Sequence, residues 1–285
     1  MKLKQKLAIS YIRAQVNILA LASPRAAAQK AFDLFCTPRE KGTRKQARFP
    51  EKGEKLSFKL DGHTVRGHRW LPHQASTDSL KKVLIAHGFE SSSRNFEQYI
   101  LPFLKKGYEV LAFDAPAHGQ SGGKRITLPL YVRTIQTIYE QYGPIDSFMG
   151  HSLGGLAITL FLESLPPVMD TRLVLIAPPC EMVKAVDSFF HLLQLSKEVR
   201  KEFDEYSNEL FDRPFSYYSI RRALNQVHSD ILWLQDEEDK ITPLEDALRV
   251  KKDQHSNIQF VITKGLGHRK IYRDPDVMRQ IVDFL

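Results

Sequence analysis

Residues that could do chemistry occur first in the glycine-rich segment Gly150–Gly155, which reads Gly-His-Ser-Leu-Gly-Gly. The run 147–150 before it predicts a strand, and residues 153–165 predict a helix. A serine hydroxyl is a poor nucleophile unless a sharp turn holds it exposed beside a base. Gly150 and Gly154 remove side chains that would collide where the backbone doubles back. The helix would also direct its N-terminus at a developing oxyanion. The segment therefore predicts Ser152 as a nucleophile.

Carboxylates and a histidine follow later in the chain, each after a predicted strand. The strand 231–235 is followed by four acids at 236–239 and then by Lys-Ile-Thr-Pro, and Gly-Leu-Gly-His268 follows the strand 258–262. With the Gly-x-Ser-x-Gly segment, this order of Ser, Asp and His resembles the α/β-hydrolase family over roughly residues 55–285. The resemblance implies Ser152 as nucleophile, His268 as general base and Asp239 as the acid that orients the histidine.

The choice of acid depends on the residues that follow the acidic run. Alignment to the family's apolar-Thr-Pro pattern selects Asp239, while Asp236 stands where the family often has glycine and remains the alternative. A calcium loop is a third interpretation, but the run lacks the alternating ligands, the central glycine and the closing glutamate.

Two loops that follow the third and fourth predicted strands also match the family. His87-Gly88-Phe89 corresponds to the loop that supplies one oxyanion amide, so the resemblance assigns the backbone N–H groups of Phe89 and Leu153 to the oxyanion hole. We expect His87 to be a structural hydrogen-bonding residue. The segment 114–122 partly resembles the family's Asp-x-Arg-Gly-x-Gly-x-Ser loop, and we expect it to shape the floor of the site.

The elements that must position these residues alternate between strands and helices. Asp61-Gly62 predicts a hairpin between strands 55–60 and 65–71. Further strands are predicted at 83–86, 110–113, 147–150, 173–177, 231–235 and 258–262, and helices at 96–106, 127–142, 153–165, 243–252 and 274–285. The predicted fold class is α/β: a mostly parallel α/β-hydrolase sheet with an initial antiparallel hairpin and a helical cap insertion.

Two segments lie outside this alternation. Residues 1–54 predict a helical extension, with Ser23-Pro24 starting a second helix, and a basic connection at 41–52. We expect the extension to pack on the domain, and the alternatives are a helix on a lipid surface and a cleaved signal peptide. Residues 55–285 form the hydrolase domain, with an aromatic-rich cap at about 179–228 over the sheet edge. Its aromatic side chains would either line an apolar pocket or pack the cap helices.

The distribution of charge along the chain and the number of cysteines indicate which partners and which compartment to expect. The net charge is +8, but residues 1–82 hold 18 Lys and Arg against 6 Asp and Glu, and the rest holds 23 against 27. The basic excess therefore lies away from the chemical motifs, as a solvated face or as a surface for peripheral contact with anionic lipid, and nucleic acid is not expected as a partner. Cys36 and Cys180 fit no disulfide or metal pattern and indicate buried thiols in a reducing, cytoplasmic compartment.

The expected function is that of a serine hydrolase acting on small carboxylic esters with an apolar portion, as a carboxylesterase or small acylglycerol lipase. Alternatives are an aminopeptidase or thioesterase on the same fold, or a non-catalytic binding protein. No metal or cofactor is expected, since the histidines show no paired ligand spacing and no Gly-x-Gly-x-x-Gly follows the first strand. The oligomeric state is left open.

Overall fold

A computed structural model describes residues 3–40, 53–73, 80–166 and 171–285, with side chains from residue 7 onward. The predicted basic connection at 41–52 lies outside the described residues. The chain divides into two compact units, one made of Met1–Thr37 and Glu181–Arg222, the other of Pro38–Cys180 and Ala223–Leu285. Sequence analysis treated the N-terminal extension and the insertion as separate segments, whereas here they belong to one unit.

The larger unit contains a single eight-stranded sheet in the order β1-β2-β4-β3-β5-β6-β7-β8. The strands are β1 (Glu54–Leu60), β2 (His63–Trp70), β3 (Lys82–Ala86), β4 (Glu109–Asp114), β5 (Ser147–His151), β6 (Arg172–Ile176), β7 (Asp230–Asp236) and β8 (Ile258–Thr263). β2 pairs antiparallel with β1 and β4, and all other pairs are parallel. The prediction of a mostly parallel sheet that begins with an antiparallel hairpin is confirmed.

The β1–β2 hairpin forms where the sequence predicts it. Leu60 pairs with His63 across a two-residue loop, and Asp61 and Gly62 both have positive φ, of 46° and 75°. Such a turn favours Asp-Gly because glycine adopts positive φ without strain and aspartate tolerates it.

Helices of the larger unit connect the strands. They are α3 (Ile100–Lys105), α4 (Leu128–Tyr142), α5 (Leu153–Glu163), α9 (Leu244–Lys251), α10 (Gly267–Lys270) and α11 (Pro275–Phe284). The predicted helix at 96–106 is instead a 3₁₀ segment, Ser93–Tyr99, followed by the short α3.

The central strands explain how the site is held. All residues of β4 and β5 are buried, as are all but the first residue of β7. Strands covered on both faces form near-continuous apolar runs, and burying them fixes the sheet. The carboxyl ends of parallel strands share one edge, where ligands bind in open α/β sheets. The segments that follow β3, β5, β7 and β8 carry all the predicted site residues.

The smaller unit is helical. It contains α1 (Leu3–Ala22), α2 (Pro24–Cys36), α6 (Met182–Leu193), α7 (Lys197–Leu210) and most of α8 (Ile220–Ala223). α2 begins as the sequence predicts, because the Ser23 hydroxyl accepts the Ala26 N–H at 3.1 Å and proline occupies the first turn.

Aromatic packing joins the extension to the insertion within the helical unit. Phe32 and Phe35 of α2 lie 5.6 and 6.1 Å, between ring centroids, from Phe203 of α7. Phe203 also contacts Phe190 at 5.0 Å and stacks on Phe215 at 5.6 Å. Of the two alternatives for the insertion's aromatic residues, core packing therefore applies to these rings. The extension is tied to the insertion by this core.

In the described ranges, no helix combines the length and apolar character needed to cross a bilayer.

Candidate active site

Ser152 occupies a strained turn between β5 and α5. Its φ of 52° and ψ of −126° lie in a sparsely populated region, which costs a residue with a side chain on the order of 1–3 kcal/mol. A Cβ at Gly150 would lie 2.5 Å from the Cα of Gly155, and one at Gly154 would lie 2.5 Å from the Ala86 carbonyl oxygen. Only glycine fits at 150 and 154, so the packed backbone holds the serine in its turn.

His268 lies between Ser152 and Asp239. Its Nε2 is 3.0 Å from the Ser152 Oγ, and its Nδ1 is 2.8 Å from the Asp239 Oδ2. The imidazole is 9% exposed and the carboxylate 0%. Because a carboxylate only accepts hydrogen bonds, Nδ1 carries the proton and Nε2 can accept one from the serine hydroxyl. The structure thus brings together three side chains that are separated by 116 and 29 residues.

The Asp239 carboxylate is fixed by the loop that carries it. Oδ1 accepts the N–H groups of Ile241 and Thr242 at 2.8 and 3.0 Å, and Oδ2 accepts the Thr242 hydroxyl at 2.8 Å. Burial by itself would raise the pKa of Asp239. The hydrogen bond and charge interaction with His268, followed by the two amides, outweigh burial and hold that pKa below its usual 3.8. Asp239 is therefore ionised at neutral pH and faces the histidine.

Asp236, the alternative acid, has different partners. It is the last residue of β7 and is fully buried. Its Oδ1 accepts hydrogen bonds from the N–H groups of Glu238 (3.0 Å) and Gly267 (2.8 Å). Its Oδ2 accepts hydrogen bonds from the Thr263 hydroxyl (2.7 Å) and the Leu266 N–H (3.1 Å). Three of these donors lie in residues 263–267, just before His268. Asp236 therefore anchors the loop that presents the histidine, a role that sequence reasoning missed.

Burial would raise the pKa of Asp236, but hydrogen bonds, led by that of the Thr263 hydroxyl, outweigh it and lower the pKa below 3.8. A carboxylate that accepts several N–H and O–H groups is stabilised in its ionised form. The two buried aspartates of this loop are thus both ionised, one bound to the imidazole and one to the backbone.

Thr242 is a second residue that sequence reasoning missed, since it served only to align the acid loop. Its hydroxyl lies 2.8 Å from the Asp239 Oδ2, 3.1 Å from the His268 Nδ1 and 3.2 Å from the Ala177 carbonyl oxygen. The hydroxyl orients the carboxylate towards the imidazole. The only sequence signal was its place in the Ile-Thr-Pro pattern.

The amides expected to form the oxyanion hole lie beside the serine. Leu153 begins α5, and the first amides of a helix have no partner within it. A Cβ at Gly88 would lie 2.8 Å from the Ser152 Cβ, so the loop after β3 passes directly against the serine. Among the residues that the structure describes, neither the Phe89 N–H nor the Leu153 N–H donates to a protein acceptor. The assignment of both amides to an oxyanion hole stays a prediction.

His87 has the structural role expected for it. Its Nε2 accepts the Ala115 N–H at 2.9 Å, so Nδ1 carries the proton and donates to the Gly88 carbonyl at 2.8 Å. Burial lowers its pKa. With both nitrogens engaged and the ring neutral, His87 connects the loop after β3 to the loop after β4.

His151, next to the serine, contacts the residue that the serine needs. Its Nε2–H donates to the backbone carbonyl of His268 at 2.9 Å, and its ring lies 4.6 Å from that of Tyr272. Burial, followed by the neighbouring His268, lowers the pKa of His151 to about 3. His151 is therefore neutral at physiological pH and supports His268 through the main chain. Sequence analysis had assigned it no contact with the histidine.

The loop 114–122 is organised by a buried carboxylate. Asp114 accepts the N–H and hydroxyl of Ser93 at 2.9 and 2.8 Å and the Gln120 N–H at 2.8 Å. A Cβ at Gly119 would lie 2.0 Å from the Asp114 Oδ2. The loop is thus held by internal hydrogen bonds, and Asp114 has no contact with the imidazole of His268 among its described partners.

The described part of the chain contains no group of three His, Cys, Asp or Glu side chains that could hold a metal ion. Cys36 and Cys180 are both buried and are not joined in a disulfide.

Comparisons with known proteins agree with this geometry. The family model described as "Serine aminopeptidase, S33" matches residues 77–226, just over half of the chain. The match includes Ser152 and ends before Asp239 and His268. Among curated proteins, the "Uncharacterized hydrolase YugF" of Bacillus subtilis is 25% identical over 246 residues, covering 71% of this chain and 89% of the relative. The "Bifunctional esterase/perhydrolase DCH" of Acinetobacter calcoaceticus is 29% identical over 163 residues, 55% of each chain.

Solved structures share the fold at low identity. The esterase Pf2001 of Pyrococcus furiosus has a TM-score of 0.62 at 19% identity, covering 88% of this chain and 96% of the esterase. Est1E from Butyrivibrio proteoclasticus has a TM-score of 0.64 at 17% identity, covering 82% of this chain and 97% of that chain. From the family match and the shared sheet, the chain belongs to the α/β-hydrolase superfamily and, within it, to the serine aminopeptidase family that the model describes.

Proposed function

We propose that this hydrolase cleaves small carboxylic esters through an acyl-enzyme on Ser152. The observation that carries the proposal is the continuous hydrogen-bonded path from the Ser152 Oγ through both nitrogens of His268 to Asp239, at 3.0 and 2.8 Å. A nucleophile, a base and a group that orients the base are the parts that acyl transfer needs. No metal or cofactor takes part in the proposed reaction.

Acylation begins when the Ser152 Oγ attacks the ester carbonyl carbon and its proton passes to the His268 Nε2. The new positive charge on the imidazole is stabilised by Asp239, which is already ionised. The carbonyl oxygen becomes an oxyanion, and the N–H groups of Phe89 and Leu153 donate to it. One such donor contributes on the order of 3 kcal/mol to transition-state stabilisation.

Collapse of this intermediate breaks the bond to the alcohol, and the alkoxide leaves with the proton from the His268 Nε2. Deacylation repeats the steps with water: His268 takes a proton from water, the hydroxide adds to the acyl carbon, and Ser152 leaves with that proton. The products are a carboxylic acid and an alcohol, and the enzyme regains its starting protonation.

Esters are favoured as substrates because the relative DCH is named an esterase/perhydrolase and the structural neighbour Pf2001 is named an esterase. A carboxylesterase or small acylglycerol lipase, acting on an ester with an apolar portion, is the specific form we propose. The two buried cysteines, which form no disulfide with each other, support a reducing, cytoplasmic location as part of the same proposal.

The second candidate is an aminopeptidase, because the matching family is described by that activity. Both reactions pass through the same acyl-serine, so the residues at 152, 239 and 268 do not separate them. Thioesters are a third substrate class with the same chemistry. The leaving group distinguishes all three.

The test has two parts. A fluorophosphonate probe should label the wild-type protein and leave Ser152→Ala unlabelled, and folded wild type that stays unlabelled would count against the enzyme and favour a non-catalytic binding protein. Rates should then be compared for p-nitrophenyl esters of increasing acyl length, acyl-CoA thioesters and aminoacyl p-nitroanilides. Turnover of the anilides well above that of the esters would reject the ester proposal while keeping Ser152 as nucleophile.

A further inference from the structure

The outward side of α1 carries an exposed apolar stripe, which we call the outer stripe: Leu7, Tyr11, Ala14, Ile18 and Leu21. The alternating steps of four and three residues place them on one side of the helix. The four large side chains are 63%, 66%, 68% and 89% exposed, in chain order. At 1.5 Å per residue, the stripe is about 21 Å long.

The opposite side of α1 already holds the helix in its unit. Ile9 and Val16 are buried. The Arg13 guanidinium donates to the Leu192 carbonyl at 2.8 Å, and the Asn17 side chain lies 3.5 Å from the Leu193 carbonyl. Packing of α1 therefore does not require the outer stripe. Contiguous exposed apolar surface on a folded unit marks an interaction site when packing does not explain it.

The sequence that precedes the stripe is positively charged. Lys2, Lys4 and Lys6 precede it in the sequence. From residue 7 to residue 22 the only charged residue is Arg13, which is held by Leu192. The exposed neighbours of the stripe, Ser10 and Gln15, are uncharged.

We propose that the outer stripe is a membrane-docking surface that binds the interface of anionic phospholipid bilayers. The large apolar side chains would enter the region between headgroups and acyl chains, with the Tyr11 ring at headgroup level. The basic sequence that precedes the stripe favours a negatively charged surface. The charge of residues 1–82, 18 basic against 6 acidic, has the matching sign.

A second copy of the chain is the competing occupant, because steps of four and three also occur along a coiled-coil seam. Such seams are flanked by charged residues of both signs that select the partner. Here the flanking exposed residues Ser10 and Gln15 carry no charge. Uniform positive charge at one end would also repel a parallel copy, whereas it attracts an anionic surface.

Vesicle co-sedimentation tests the proposal, with vesicles of phosphatidylcholine alone and of phosphatidylcholine mixed with phosphatidylserine. Wild type should bind the mixed vesicles far better, and added salt should weaken binding, since each basic residue near an anionic surface contributes about a fivefold factor. The stripe variant replaces four side chains: Leu7→Ser, Tyr11→Ser, Ile18→Ser and Leu21→Ser. It should lose binding by at least about tenfold, because apolar burial supplies the rest of the affinity.

A matched control replaces exposed leucines elsewhere, with Leu101→Ser and Leu210→Ser, whose native side chains are 37% and 48% exposed. This control should bind vesicles as wild type does. The stripe variant and the control should both keep fluorophosphonate labelling and thermal unfolding near the wild-type values. Two outcomes would overturn the proposal: wild type that ignores anionic vesicles, or a stripe variant that binds them unchanged. A wild-type dimer that the stripe variant converts to a monomer, without lipid binding, would assign the surface to a second copy instead. Ser152→Ala should bind vesicles normally, which separates this result from that of the proposed function.

Discussion

Asparagine at position 236 should mainly lower stability and asparagine at position 239 should mainly lower activity, although both replace a buried aspartate of one loop. Each Asp236 oxygen receives two donors: Oδ1 is bonded by the N–H groups of Glu238 and Gly267, and Oδ2 by the Thr263 hydroxyl and the Leu266 N–H. Asparagine keeps one oxygen for one pair of donors and places an NH₂ group against the other pair of donors. Whichever way the amide turns, at least one buried backbone N–H loses its acceptor and faces another donor.

The magnitude follows from those bonds. A hydrogen bond to a charged group contributes about 1.5–3 kcal/mol, and Asp236→Asn disrupts two. We therefore expect a loss of about 3–6 kcal/mol in the free energy of unfolding, measured by urea denaturation. Activity should fall with it, because the loop at 263–267 that presents His268 loses its anchor. Thr263→Val, which removes one donor and leaves the carboxylate its three amides, is the matched control and should lose much less.

Asp239→Asn has a different outcome because its two oxygens have different partners. Oδ1 faces the N–H groups of Ile241 and Thr242, so the asparagine oxygen takes that place. The NH₂ group then faces His268 and donates to Nδ1, and the proton moves to Nε2, where it blocks acceptance of the serine proton. Stability should change by about 1 kcal/mol, while kcat on a p-nitrophenyl ester should fall on the order of 10⁴-fold from the wrong tautomer.

The pH dependence gives a second measurement on the same variants. In the folded protein the pKa of Asp236 lies below its usual 3.8, so its ionised form stabilises the fold above that value. This contribution is lost as the pH falls through the folded-state pKa. The stability of wild type should therefore fall more steeply at acidic pH than that of Asp236→Asn, which cannot titrate there. A stable Asp236→Asn with full loss of turnover, together with an active Asp239→Asn, would refute the reasoning and exchange the two roles.

Three further predictions concern other parts of the molecule. Gly154→Ala should abolish fluorophosphonate labelling or folding, because its Cβ would lie 2.5 Å from a backbone oxygen. Gly155→Ala, whose Cβ would have its nearest contact at 3.2 Å, should retain labelling. Equal loss of labelling in both variants would contradict the prediction. His151→Phe should lower kcat about fivefold, because the hydrogen bond to the His268 carbonyl is lost, while KM stays unchanged. His151→Gln should restore kcat. An unchanged kcat in His151→Phe would show that His151 does not position His268. Phe203→Ala should lower the free energy of unfolding by about 3–5 kcal/mol in denaturant titrations, because this ring is fully buried among four other aromatic rings. A loss below about 1 kcal/mol would show that the aromatic cluster is not a core.

Much of the larger unit could be predicted because its signals are local. Buried parallel strands are short apolar runs, helices repeat every three to four residues, and Asp-Gly specifies a hairpin turn, so each element could be recognised within its own segment. The turn at Ser152 was also recognisable, since only glycine at 150 and 154 permits that backbone. The least accurate element was the predicted helix at 96–106, whose first four residues belong to a 3₁₀ helix. Its apolar spacing fits both helix types.

The packing of the helical unit could not be predicted from local sequence patterns. The sequence indicated that residues 1–54 contain helices and that residues 179–228 form a helical insertion. Whether the extension would pack on the sheet domain or elsewhere depends on contacts over about 170 residues of chain, such as those of Phe32 and Phe35 with Phe203. Apolar periodicity shows that a helix has a face to bury, but it does not say against which partner.

The sequence by itself determined the strand–helix order and the serine turn, because each follows from backbone preferences and side-chain periodicity within a few residues. The order of serine, acid and histidine was recognised through the resemblance to the α/β-hydrolase family. Only the tertiary structure decided which of four consecutive acids reaches the imidazole. Asp236 is turned towards the backbone of residues 263–267, while Asp239 is turned towards His268 by the amides of its own loop. Chemically equivalent carboxylates three residues apart are thus distinguished by their hydrogen-bond donors. The residues that follow β8 reach the acid loop because β8 pairs with β7.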